Sequence, residues 1–206
     1  MIRPGRRLPR WFFERPSPEV APDLLGRVLV RRLPDAATLS VRIVETEAYQ
    51  EDDPASHSYR GRTARTEVMF GPPGRLYVYF TYGMHFCMNV VTGVEGEGSA
   101  VLLRAGEPLE GLDEMRMRRG VDDARALCSG PGRLCQALGV TRTDNGTDLV
   151  AGNALSLHAG MPVRPGDVAV TPRVGIRSGI ERPWRFVRVG DPFVSRGRPA
   201  RIARPS

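Results

Sequence analysis

The sequence contains no lysine: all thirty of its basic residues, among 206, are arginine. A side-chain amine able to form a Schiff base is therefore missing, which excludes lysine-based covalent catalysis. Cysteine is scarce as well. Cys87, Cys128 and Cys135 are an odd number without a C-x-x-C pair, so no disulfide framework is expected and a reducing compartment fits. Together with His57, His85 and His158 they match no zinc-ligand spacing, and neither a metal nor another cofactor is expected. Long apolar runs are missing too. Nothing approaches the roughly 18 consecutive apolar residues of a membrane span, and MIRPGRRLPRWFF has no signal-peptide core. The chain reads as soluble, intracellular and without a membrane partner.

What is present points to one mixed domain. Apolar residues make up 41% of the chain, enough for a core, while 23 glycines and 18 prolines favour a loop-rich fold over a helical bundle. The net charge of +7 is unevenly spread. Residues 1–10 and 196–206 each hold four arginines and no acid, so residues 11–195 between them sum to −1. We read a basic N-terminal arm (1–10), a central domain (11–195) and a basic C-terminal arm (196–206), with an anionic partner for the arms.

Local patterns supply the elements. Ser17-Pro18-Glu19 reads as an N-cap and first turn of a short helix that Gly26 stops. RVLVRRL (27–33) and TLSVRIVETEAY (38–49) read as strands, as do RLYVYFT (75–81) and HFCMNVVT (85–92), which flank the short loop Tyr82-Gly83-Met84. AVLLRA (100–105) continues an antiparallel meander. PLEGLDEMRMRR (108–119) and SGPGRLCQALG (129–139) carry helical signals, the second with Ser129 as cap and Gly139 as stop. The expected fold is α+β: a curved antiparallel sheet with short surrounding helices and a protruding β-hairpin.

Several residues stand where packing alone would not put them. Two-residue periodicity sets Glu45, Glu47 and Tyr49 on one strand face. Arg104 interrupts the apolar AVLLRA and needs an anionic partner, which that face can supply. Asn89 interrupts FCMNVV, either as a satisfied core amide or as a donor and acceptor lining a pocket. Tyr49, Tyr77, Tyr79, His57 and His85 fall in a short span, most simply as core. Tyr82, on a tight turn, has little core to enter and suits a wedge between stacked bases. The Ser129-Gly130 helix start offers free N–H groups to an anion. Gly93 to Gly98 joins strand to strand and carries two glutamates, so it is not read as a phosphate loop.

VETEAY (44–49), DPASHSYRGRTAR (53–65), MFGPPGRLYVYFTYGMHFCMNVVT (69–92), AVLLRAGEPLEG (100–111), LCSGPGRLCQALG (127–139), RVGI (173–176) and PWRFVRVGDPFVS (183–195) resemble, in order and spacing, the alkyladenine (3-methyladenine) DNA glycosylase family. The resemblance implies a single-domain protein that excises alkylated or deaminated purines from double-stranded DNA by hydrolysing the N-glycosidic bond. On matching positions it implies Glu47 as the general base that activates water, with Arg104 and the Val174 carbonyl helping to hold that water. Tyr49, His57 and Tyr79 would enclose the flipped base, Asn89 would discriminate against guanine, and Tyr82 would fill the vacated stack. Arg65, Ser129, Gly130 and Arg142 are candidates for the DNA backbone. Glu67 brings a negative charge to a loop expected near DNA, and Ala100 leaves a small side chain beside the expected pocket. The absence of lysine adds that the enzyme should be monofunctional, leaving an intact abasic site. It is expected to act as a monomer.

Two other classes compete. In a non-catalytic nucleic-acid-binding domain Glu47 and Arg104 would form a structural pair and the aromatics would only stack bases. A carbohydrate hydrolase using Glu45 with Glu47 is disfavoured, because residues two apart on one strand cannot flank a glycosidic bond from opposite sides.

Overall fold

The computed structural model describes residues 5–81 and 83–197. The chain is an α+β protein on an open antiparallel sheet of eight strands. After α1 (Ser17–Asp23) come β1 (Val28–Arg32) and β2 (Thr38–Tyr49), then β3 (Leu76–Thr81), β4 (His85–Val91) and β5 (Ala100–Glu110). Three short helices follow, α2 (Leu112–Arg119), α3 (Ala124–Leu127) and α4 (Pro131–Leu138), before β6 (Leu155–His158), β7 (Val168–Thr171) and β8 (Arg185–Arg188). The hairpin between β3 and β4 turns with Gly83 at φ 65°, a left-handed backbone that glycine adopts without steric cost.

The sheet runs β3-β4-β5-β2-β1-β6, and β2 is long enough to take two partners in succession along one edge. Its first half, Thr38–Arg42, pairs with β1, and Glu45–Glu47 pair with β8, which carries β7 outside it. Alternation then sorts side chains between two faces. Leu76 and Val78, Met88 and Val90, and Val101 and Leu103 enter the main apolar core, together with Leu134, Cys135 and Leu138 of α4. Each fully buried side chain of this size contributes about 1.5–3 kcal/mol. Tyr77, Tyr79, Cys87, Asn89, Leu102 and Arg104, at the intervening positions, turn to the other face and line a cavity.

One irregularity falls beside that cavity. Between β2 and β5 the register runs Ile43↔Gly106, Glu45↔Ala105, Thr46↔Leu103, so Val44 is the extra residue on one strand and Arg104 the extra residue on the other. Such bulges bend a strand and re-aim a side chain.

Three local readings need correction. Ser17 does not cap α1: Pro16 stands at that position and the Ser17 hydroxyl donates to the Tyr49 carbonyl instead (2.9 Å). Gly130, not Ser129, occupies the cap position of α4, and the Ser129 hydroxyl accepts from Arg133 (3.1 Å). Pro108–Glu110 continue β5 rather than opening α2, because they pair with Ser40 and Val41. The N-terminal basic stretch, moreover, is docked from Gly5 on. Leu8 is buried and its N–H donates to Leu157 of β6 (2.9 Å), while Arg10 pairs with Asp148 (2.6 Å). The segment thereby covers a sheet edge that would otherwise be unpaired. Residues 198–206 of the C-terminal arm lie outside the described residues. Among those described, no helix is long and apolar enough to cross a membrane.

Candidate active site

The polar face of four adjacent strands, β3-β4-β5-β2, forms the floor of a cavity of about 420 Å³. Pro54 to His57 and Val174 to Ser178 wall it, and Pro131 of α4 closes one side.

Glu47 lies under this floor with no exposed surface. Its carboxylate accepts from the Val174 N–H (2.7 Å), the Tyr49 hydroxyl (2.9 Å) and Arg104 Nη1 (3.3 Å). Tyr49, Arg104 and Val174 themselves line the cavity, so each of these contacts ties the carboxylate to the cavity wall. The solvated strand face that antiparallel sheets usually present is thus not what these glutamates occupy. Val174 reaches Glu47 through its N–H, whereas the resemblance implies a role for its carbonyl.

Glu45 is equally buried. It accepts from Arg104 Nε (3.0 Å), Arg185 Nε (2.7 Å), and both the N–H (2.7 Å) and hydroxyl (3.0 Å) of Ser195. Burial pushes its carboxyl up, but the Arg104 and Arg185 charges and the hydrogen bonds outweigh that and hold it below the ordinary value. Arg104 in turn is disfavoured as a cation by burial, yet Glu47 and Glu45 hold it above its usual range. The pairing expected from Arg104's odd place in an apolar strand is therefore real, and it is shared between two acids.

The aromatic wall is built around His57, Tyr77 and Tyr79. His57 Nδ1 and the Tyr77 hydroxyl are 3.0 Å apart, and the His57 ring meets Tyr79 edge-on at 4.5 Å. Although His57 keeps accessible surface toward the open cavity, burial of its ring, followed by the Arg65 charge, pulls its pKa down to about 4. It is a neutral imidazole at physiological pH. Burial pushes the Tyr49 and Tyr79 hydroxyls well up, with Glu47 adding to the first and Cys87 to the second. The Asn89 amide donates to the Tyr77 carbonyl (3.2 Å) and lines the cavity, so both readings of that residue hold in part.

At the rim, Arg65 stands 3.5 Å from His57 Nε2 and 5.8 Å from the Tyr79 ring centre. Glu67 is exposed but met by Arg62 (3.4 Å), which offsets its charge. Arg142 is close enough to act on Tyr77. Ser129 and Gly130 precede α4, whose Pro131 lines the cavity. Ala100 is buried behind the wall, in a small cluster with Met69, Phe70 and Tyr77. Tyr82 lies outside the described residues.

Sequence reasoning passed over the residues that fix this wall. Arg173 has no exposed surface; it pairs with the equally buried Asp53, donates to the Ala48 (2.9 Å) and Gly179 (3.0 Å) carbonyls, and lies over the Tyr49 ring (4.7 Å). That pair fastens the 174–178 wall to the sheet. Tyr77 shares strand parity with Tyr79, a signal present in the sequence. Arg185 and Ser195 carried none.

Residues 11–192 match the profile of the methylpurine-DNA glycosylase family. A Streptomyces avermitilis protein is 54% identical over 193 residues, 91% of this chain and 90% of its own. A Methanoculleus marisnigri protein is 52% identical over 191 residues (92% and 98%), and one from Carboxydothermus hydrogenoformans is 50% identical over 189 residues (92% and 98%). All three carry the provisional name 3-methyladenine DNA glycosylase.

Proposed function

Because the chain belongs to the methylpurine-DNA glycosylase family, we propose that it is a monofunctional glycosylase that extrudes alkylated or deaminated purines from double-stranded DNA and hydrolyses their N-glycosidic bond. The reading rests above all on Glu47: a buried carboxylate bonded only by donors, tied to the wall of an aromatic cavity. A base inside a duplex is out of reach of such a floor, so it must leave the stack, at a cost of roughly a few kcal/mol. Tyr82 offsets this by taking its place. The base enters between Tyr49, His57 and Tyr79, and Asn89 rejects guanine by leaving its exocyclic amine without a partner.

Water reaches Glu47 by entering between Arg104 and Val174, where the Val174 carbonyl gives it a further contact. Glu47 takes one proton, the water oxygen bonds to C1′ of the sugar, and the C1′–N bond breaks with its electron pair passing to the departing base. A cationic alkylated base leaves neutral and Glu47 gives its proton to solvent, whereas a neutral deaminated base leaves as an anion that takes up a proton in exchange. The products are a free purine and an intact abasic site. With no lysine in the chain, no side-chain amine is available to capture C1′ and cut the strand. The protein works as a monomer, with Arg65, Arg142 and the Ser129-Gly130 turn on the DNA backbone, and needs no cofactor.

Glu47→Gln decides between this and a domain that only binds DNA. Release of the damaged base from a lesion duplex under single-turnover conditions should fall by about 10²–10⁴-fold, the usual contribution of a general base, while affinity for the same duplex persists. Release at the parent rate would leave the binding reading standing.

A further inference from the structure

The hydrolytic centre contains a second acid that the reaction scheme does not use. We propose that Glu45 is its positioning residue: held by Arg185 and Ser195, it fixes Arg104 against Glu47, and through it residues 195–197 become part of the site. The proposal rests on the reading of Glu47 as the base.

Arg104 is the bulged residue of β5, so the regular ladder does not set where its side chain points. Its partners do. Nε donates to Glu45 and Nη1 to Glu47, so a single guanidinium is divided between two carboxylates. Glu45 has no exposed surface and does not line the cavity. It meets neither substrate nor water. Its four hydrogen bonds come from Arg104, Arg185 and both donors of Ser195, leaving it no room to shuttle a proton.

Residues 195–197 close the arrangement. Just beyond Ser195, Gly197 lies so near that a Cβ there would come within 2.8 Å of the Val174 side chain and 3.4 Å of Arg104 Nη2. Ser195 to Gly197 thus brace, from behind, two residues that bond Glu47.

The test follows single-turnover release of 3-methyladenine from a duplex. That base lacks guanine's exocyclic amine, is already cationic and needs no acid to leave, so the rate reports the activation of water. In Glu45→Gln the amide oxygen can still accept from Arg104, Arg185 and the Ser195 hydroxyl, which share one carboxylate oxygen, but the amide N–H₂ then confronts the Ser195 N–H at the other and loosens the brace. The rate per active molecule should fall about tenfold to a hundredfold with affinity for the duplex kept. Ser195→Ala keeps every charge and should lose roughly threefold or more, with Ser195→Thr restoring the rate. A merely structural Glu45 would lower thermal stability and leave the rate per active molecule unmoved; that result overturns the proposal. Should Glu45→Gln fail to fold, Ser195→Ala decides alone, an unchanged rate being fatal. Glu47→Gln, run alongside, separates the two readings: if it releases base at the parent rate, the base assignment has failed, not the brace.

Discussion

The floor and the rim of the cavity are built on opposite plans. In the floor Arg104 and Asn89, and beneath it Glu45 and Glu47, stand on strands, are buried, and have hydrogen-bond partners within the protein. On the rim Arg65, Arg142 and residues 175, 177 and 178 sit in loops or single turns and are exposed. On the proposed function, the groups that would hold a reacting atom are placed where packing leaves them no choice, whereas those that would meet a variable polyanion keep their freedom. His57 and Tyr79 belong to neither plan wholly: they are pinned to each other, yet open toward the cavity.

Asp53→Ala should erase the contrast and produce the largest effect. It strands the Arg173 guanidinium in the interior, and breaking a buried pair from one side costs about 3–5 kcal/mol. Denaturant unfolding should show that loss. Excision should fall with it, since the 174–178 wall loses its fastening. Tyr82→Ala, if the residue is the wedge, should lower excision from duplex DNA about tenfold and much less from single strands. Equal loss on both substrates would mean that the residue has no wedge role. The smallest effect concerns His57, whose pKa lies at about 4 in the fold against an ordinary 6.5. Between those values the unfolded chain binds the extra proton and the folded one does not, so this group's contribution to stability diminishes as pH falls from about 6.5 toward about 4. Binding of lesion DNA should show no inflection near pH 6.5. An inflection that His57→Gln removes would mean that His57 is charged in the working site.

Legibility in the sequence follows the same divide. β2 has the bounds read from TLSVRIVETEAY, and the strands about Tyr82-Gly83-Met84 differ from the sequence reading by a residue at an end, because alternation is a local property that burial on one face enforces. Arg104 stands out as a charge in an apolar strand, and its acidic partners lie on the strand whose alternation offers them. What stayed hidden depends on contacts between distant segments. Nothing local to Ser195 marks it as a ligand of Glu45, 150 residues earlier, and nothing local to Asp53 marks its partner 120 residues on. The helix expected from Pro108 gave way for a similar reason: pairing with β2 outweighed a local preference. The N-terminal arginines looked like a solvated arm because composition records charge and is blind to Leu8 and the β6 edge.

The facing irregularities at Val44 and Arg104 make the sheet's length a matter of phase. Losing either residue alone would shift one strand against the other by a single position and turn the side chains beyond it to the opposite face, so point deletions here should be tolerated worse than almost any substitution. Losing both would bring the two strands back into step. The resulting ladder would be the more regular one, but it would lack Val44 and the guanidinium that Glu45 and Glu47 share. Glu47 would then lie buried without its cation, a loss of about 3–5 kcal/mol for a pair broken from one side, so the charge buried on β2 by itself holds the irregularity in place.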